Sequence, residues 1–485
     1  MVEPVVSDYK YRQRVRRYKP SSLVPLIAAA AARYWQQQDW LNSPYRKYTP
    51  WALADAARVS LACGTEHNRS DATDQDLLQV LNAFSRFDDP FLRDKDVHGF
   101  LLRMAGQQMT WQVPEYETIA RTAAIFEQTP PVQPMECLRP GWDTELFGCT
   151  LREYVGSAQL AWASAISCAG HFDPAVFDTP DGRLIARHVG RDTVARVLDA
   201  HFAASVTGFR ADDQEAAARA GRDGRLRRFT SNPLRGRPLL TGFGPGYLCP
   251  VPYLALAKAT PWGVYFTGLK RYKEGFARDL GHLFEQYIGR QLRLLPGAQV
   301  LGEVTYGPKN DRRKTVDWIV ILPEVVLLVE VKSAIPTEPV RLGTPEAAGA
   351  ALAKLGKAFK QIDVTAQLIA DREAVLAAVP AGRPVLGLAV TLEPFHVANA
   401  GFDPFPVTRT PVTVADAAEI ENLATVTGIS TGRLLLDRAA DNVRSTWSLD
   451  TAFEGRARDR NPVLDQAWDS YPWASAARAY RESSR

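Results

Sequence analysis

The sequence predicts an α/β core of order α-β-β-β-α-β, a central mixed sheet flanked by helices, with a large N-terminal all-α domain and a helical C-terminal extension. Three observations predict it. Residues 315–333 read as two short strands rich in branched apolar side chains, joined by a tight turn at Pro323 and Glu324. Segments of helical periodicity lie on both sides of that hairpin, at 273–295 and 345–371. From Ser22 to about Phe209, apolar residues recur at helical spacing.

At 485 residues the chain has room for about three domains and a large core. Its hydrophobic fraction, 46%, is ordinary for a globular protein, and a net charge of +4 is too slight to argue for nucleic acid by itself. Cys63, Cys137, Cys149, Cys168 and Cys249 are scattered, with neither a C-x-x-C pair nor a His at zinc spacing. A reduced, cytoplasmic protein without structural zinc is expected. No secretory signal is expected, because the N-terminus lacks a basic lead ahead of an apolar stretch. No membrane span is expected either, since the Ala-rich run 23–32 is too short. The absence of a repeat, a P-loop or a G-x-S-x-G motif argues against ATP-driven translocation and serine hydrolysis.

The first domain spans residues 1–209. Lys10, Arg12, Arg14, Arg16, Arg17 and Lys19 interleave with Tyr11 and Tyr18; a solvated, partly disordered terminus is the expectation, an arm along phosphates the alternative. Leu23, Leu26, Ile27, Tyr34 and Trp35 form a helical stripe. Thr73 with Asp76, and Thr150 with Glu153, look like caps ahead of amphipathic helices. Tyr34, Trp35, Trp40, Tyr45, Arg46, Lys47, Tyr48 and Trp51 mix rings and bases as a single-strand binder would, but the stripe favours packing for most of them. His201, between Leu198 and Phe202, reads as a satisfied core residue, and Asp88, Asp89 and Pro90 as a loop.

Residues 210–269 read as a basic, Gly- and Pro-rich connector, with a strand expected near Val264 to Thr267. Arg222, Arg225, Arg227, Arg228, Arg235 and Arg237 suit either a mobile linker or a phosphate clamp.

The third domain, 270–400, carries the chemistry. Residues 273–295 place Phe276, Leu280, Phe284, Tyr287, Ile288, Leu292 and Leu295 on one helix face. Glu285 lies on that helix with Gly281 and Gly289 four residues to either side. Glycine inside a helix costs about 1 kcal/mol relative to Ala, so the pair is expected to admit another backbone or a ligand beside Glu285. Strands are expected at 298–306, 315–321, 325–333 and 384–392, and a helix at 345–371 with Leu352, Leu355, Phe359, Ile362 and Leu368 inward. Glu330 and Lys332 share one face of the third strand, opposite Val329 and Val331. Charges withdrawn from water need partners or a metal. A strand-end salt bridge, with Asp317 capping a turn, is the structural alternative to a functional site.

The element order, with Asp317 followed by Glu330-Val331-Lys332 at the end of the next strand, resembles the PD-(D/E)XK nuclease superfamily of restriction endonucleases and DNA-repair nucleases over residues 273–392. Val316 stands where that motif is named for proline, which many members lack. The resemblance implies that Asp317, Glu330 and Glu285 bind Mg²⁺, with Mn²⁺ as a substitute, and that Lys332 orients the attacking water; the Val331 carbonyl is an expected extra ligand by its chemistry. It also implies a contribution from the following helix, matched by Gln361 or Lys357. Phosphodiester hydrolysis needs a cation to neutralise developing charge and acidify water, and carboxylates suit Mg²⁺. The implied function is a metal-dependent endonuclease acting on DNA rather than RNA, in bacterial, including antiviral, defence or in DNA repair. A catalytically silent nucleic-acid-binding or scaffolding protein is the alternative. The expected partner is nucleic acid, with no membrane, and homo-oligomer contacts are assigned to the helical domain if they exist. Residues 401–485 are expected to form a C-terminal extension with a helix at 414–423 and the aromatics Trp468, Tyr471, Trp473 and Tyr480.

Overall fold

In a computed structural model of the chain, Thr73 and Thr150 each close a capping box, with Asp76 and Glu153, at the starts of helices Asp74–Ser85 and Leu151–Ser167. The structure describes residues 5–36, 48–67, 69–86, 97–108, 111, 115–179, 182–183, 186–219, 224–333, 338–342, 345–395, 398–400 and 408–474. Trp40, Tyr45, Arg46, Lys47, Asp88, Asp89, Pro90, Arg222 and Tyr480 lie outside the described residues. The chain divides into two compact units, one built from 1–119, 140–271 and 471–485, the other from 120–139 and 272–470.

The first unit is mainly helical. Its helices include Pro20–Gln36, Pro50–Cys63, Arg191–His201 and Val206–Arg219, and Leu23, Ile27, Leu53 and Val59 are buried in its core. A small four-stranded sheet of two-residue strands, unexpected from the sequence, links His171–Phe172, Tyr247–Leu248, Leu239–Leu240 and Ala203–Ala204. Residues 10–19 are not a loose terminus. Asp8–Val15 is a helix with Tyr11 and Val15 buried, and the Tyr18 hydroxyl donates to Asp76 at 2.9 Å.

The arginine-rich stretch is likewise folded in, neither an open clamp nor a linker. Arg227 pairs with Asp8 at 2.7 Å and Asp55 at 3.3 Å, Arg228 lies 3.4 Å over the Phe84 ring, and Arg235 covers Trp111. Burial pulls Arg228 down to about 10. The strand expected near Val264 is a helix, Pro261–Tyr272, because four branched or aromatic residues are too short a run to outweigh a Pro start and the Gly263 packed against the Lys258 carbonyl. His201 Nε2 donates to the Phe147 carbonyl at 3.1 Å, and the ring meets the Phe147 and Tyr154 rings edge-on. Trp35 stacks on Tyr253.

The second unit holds a five-stranded mixed sheet. Its elements are α1 (Glu274–Leu292), β1 (Gln299–Gly302), β2 (Trp318–Ile321), β3 (Val326–Lys332), α2 (Pro345–Ala370), β4 (Val385–Thr391), β5 (Val412–Asp416), α3 (Ala417–Leu423), α4 (Thr431–Ala440) and α5 (Pro462–Asp469). Strand order is β5-β4-β3-β2-β1, antiparallel from β1 to β3 and parallel from β3 to β5. The stretch 414–416, expected to start a helix, instead closes β5, and the helix begins at Ala417 behind an Asp416–Glu419 capping box. A polar-looking Val-Thr-Val-Ala-Asp is compatible with an edge strand, which only needs one apolar face.

Alternation sorts the sheet's faces. Ile319, Ile321, Val326 and Leu328 pack with Ala358, Phe359 and Ile362 of α2 in one core cluster. Period two then carries Asp317, Glu330 and Lys332 to the same face, at the ends of β2 and β3. Among the described residues, no helix is long and apolar enough to cross a membrane.

Candidate active site

The register of β2 on β3 pairs Trp318 with Val329, so Asp317, one residue before β2, stands opposite Glu330. The two are hydrogen-bonded as well as adjacent: Asp317 N donates to Glu330 Oε2 at 3.3 Å, and Val331 N donates to Asp317 Oδ2 at 2.7 Å. Lys332 Nζ reaches Glu330 Oε1 at 2.5 Å. The strand-end salt bridge anticipated as the structural alternative is therefore present, but it leaves two carboxylates side by side with one ammonium.

Glu330 is only 5% exposed. Burial, and next the charge of Asp317, push it up to about 7 against the pull of Lys332. Burial raises Asp317 too, opposed by Lys332 and the Val331 N–H. Glu285, on α1, is pushed up to about 7 by burial and then by Asp317 and Glu303, with Lys314 and Lys332 acting the other way. Burial is the largest cause of each shift, and neighbouring carboxylates add to it.

Of the two glycines beside Glu285, Gly289 admits a side chain rather than a backbone. A Cβ on Gly289 would fall 2.3 Å from the Trp318 ring, and one on Gly281 would fall 3.3 Å from Ser333 Oγ. With the indole seated against Gly289, Trp318 Nε1 donates to the Glu285 carbonyl at 3.1 Å, which ties α1 to β2 beside Asp317. Glu285 Oε1 accepts from Gln286 at 3.1 Å.

Gln361, on α2, spends its amide on backbone: Nε2 donates to the carbonyls of Lys314 and Thr315 at 2.8 and 2.9 Å. Thr365 Oγ1 accepts from Val316 N at 3.1 Å. Both α2 side chains thus hold the chain leading into Asp317, and Lys357 is exposed. Two participants were missed from the sequence. Glu303 and Lys314 form an ion pair of 2.8 Å and both act on the charge of Glu285 and Asp317. Their signal was available: charged residues at the ends of strands flanking Asp317.

Asp317, Glu330 and the Val331 carbonyl offer the hard oxygen donors that an alkaline-earth cation takes, and a cation would offset the cost of burying two carboxylates beside one ammonium. The fit is one of chemistry, without a finished cage: among the described residues, no group of three or more His, Cys, Asp or Glu side chains is set to hold a metal ion. Compared with known proteins, the chain matches no family model, no curated protein and no solved structure.

Proposed function

We propose that the second unit is a divalent-cation-dependent phosphodiesterase of the PD-(D/E)XK kind that cuts DNA in the cytoplasm, in defence or repair. The observation that carries the reading is the Asp317–Glu330 pair on adjacent strand ends, with Lys332 on Glu330 and both carboxyls raised chiefly by burial. Asp317, Glu330 and the Val331 carbonyl are the proposed cation ligands, with Glu285 contributing from α1. When bound, Mg²⁺ or Mn²⁺ would neutralise charge on the phosphate and make water a better nucleophile near neutral pH. Lys332, which lies on Glu330, would orient the attacking water and offset charge on the phosphoryl oxygens. Gln361 and Thr365 position Asp317 by fixing residues 314–316.

Incubating the full chain with labelled single- and double-stranded DNA and RNA, with Mg²⁺, Mn²⁺ or EDTA, tests the reading. Cleavage that needs the cation and falls at least about a hundredfold in folded Asp317→Ala and Lys332→Ala supports it. Cation-independent cleavage, or variants as active as the parent, overturns it. A second reading, a catalytically silent nucleic-acid-binding protein, draws on the Lys332–Glu330 ion pair, which gives both groups a partner within the fold. Binding without cleavage under every condition would favour it.

A further inference from the structure

Between β1 and β2 the chain leaves the sheet and makes a two-stranded ribbon, Thr305–Tyr306 against Arg313–Lys314. Two residue pairs are too few to hold a hairpin together in water. The ribbon is instead fastened at its base: Val304 N donates to Thr315 Oγ1 at 2.9 Å, Thr315 N to the Val304 carbonyl at 3.0 Å, and Gln361 grips Lys314 and Thr315. At its far end Gly307, at φ +90°, closes a turn in which a Cβ would lie 2.5 Å from the Asp311 carbonyl. Residues 307–314 are all exposed. The chain orders this excursion without burying a core, so its use lies on its surface.

That surface is basic and partly unpaired. Arg313 is held by Asp311 and Lys314 by Glu303. Lys309 and Arg312 make no ion pair among the described residues. Lys314 is three residues from Asp317, so the ribbon begins beside the carboxylates; five residues of chain then allow Lys309 a reach of at most about 17 Å. That is roughly half a turn of B-DNA. Strands about 4.8 Å apart make a ribbon that fits the roughly 12 Å major groove of B-DNA, whereas the A-form groove of double-stranded RNA is too narrow and deep.

We infer that the ribbon 305–314 is the docking element of the site and that it takes double-stranded DNA, meeting backbone phosphates through Lys309 and Arg312 within about half a turn of Lys314. This rests on the proposed phosphodiesterase reading and names its substrate form. Fluorescence anisotropy of labelled duplex DNA in EDTA, over a salt series, tests it on the full chain. Lys309→Ala/Arg312→Ala should bind at least about tenfold more weakly at low salt, with the salt slope reduced by about 1.8, about 0.9 for each lost phosphate contact. The charge-preserving Lys309→Arg/Arg312→Lys should keep the parent slope. An alanine variant with unchanged affinity and slope overturns the inference, as does parent protein that prefers double-stranded RNA or single strands, or binds no nucleic acid. The two readings fail separately: cleavage with an unaltered slope sinks the ribbon alone, and ribbon-dependent binding without cation-dependent cleavage sinks the nuclease alone.

Discussion

Glu285 and Tyr287 stand two residues apart on α1 and belong to opposite kinds of buried charge. Tyr287 donates to Glu421 Oε1 at 2.5 Å, and the same carboxylate takes Arg121 Nε and Nη2 at 2.5 and 2.6 Å. Gln291 donates to the Tyr287 hydroxyl at 3.1 Å, and Asn461 to Gln291 Oε1 at 2.8 Å. Donors and acceptors close on one another, and α1, α3, α5 and the 120–139 segment are joined through them. Arg121 is held more firmly protonated than an ordinary arginine, because Glu421 outweighs the cost of its burial. The site around Glu285 has the reverse balance: Asp317 and Glu303 act on Glu285, and Asp317 on Glu330, against Lys332 and Lys314. A buried ion whose bonds are closed specifies structure; one left in surplus is held for something that arrives later.

Breaking the closed network gives the largest effect. Glu421→Ala strands Arg121 in the interior and should lose about 3–5 kcal/mol in urea unfolding. The double variant Arg121→Met/Glu421→Met should recover most of that loss, since no charge is left without a partner. If the double variant is as unstable as the single one, the network is not the source of stability. At the site, Gly289→Ala pushes a methyl into the Trp318 ring and should cost about 1–3 kcal/mol by the same measurement. Gly281→Ala, facing only Ser333 Oγ, should cost much less, and a reversal of that order would show that Trp318 is not what requires Gly289.

These two regions were unequally legible in the sequence. The apolar stripe of α1, the run of β3 and the trio Asp317, Glu330 and Lys332 follow from spacings of two and four residues, which local periodicity carries. Arg121 and Glu421 are 300 residues apart, and no local pattern marks either as a partner. The same limit hid Arg227 and Arg228, which look solvated until Asp8, Asp55 and Phe84 are brought to them. It also hid the assignment of 120–139 to the second unit, where Asp279 takes the backbone amides of Glu136, Cys137 and Leu138 at 3.2, 2.6 and 2.9 Å. Gly281 and Gly289 were legible as a signal but not in meaning, because the ring that fills the space at Gly289 comes from another strand.

The smallest effect separates the two kinds of charge most directly. Glu285 ionises near 7 in the folded chain, above its ordinary value of about 4.3. A carboxyl raised on folding favours the native state while protonated; that contribution is complete below about pH 4 and is lost as pH rises through 7. Glu285→Gln keeps the shape without the charge. It should match the parent in stability at pH 4 and exceed it at pH 8 by on the order of 1 kcal/mol, the gain being limited by solvent at this half-buried group. Unfolding curves at the two pH values read the difference. A variant less stable than the parent at pH 8 would mean that Glu285, like Glu421, is a closed partner in the fold, and the surplus of negative charge would then have to be sought in Asp317 and Glu330 alone.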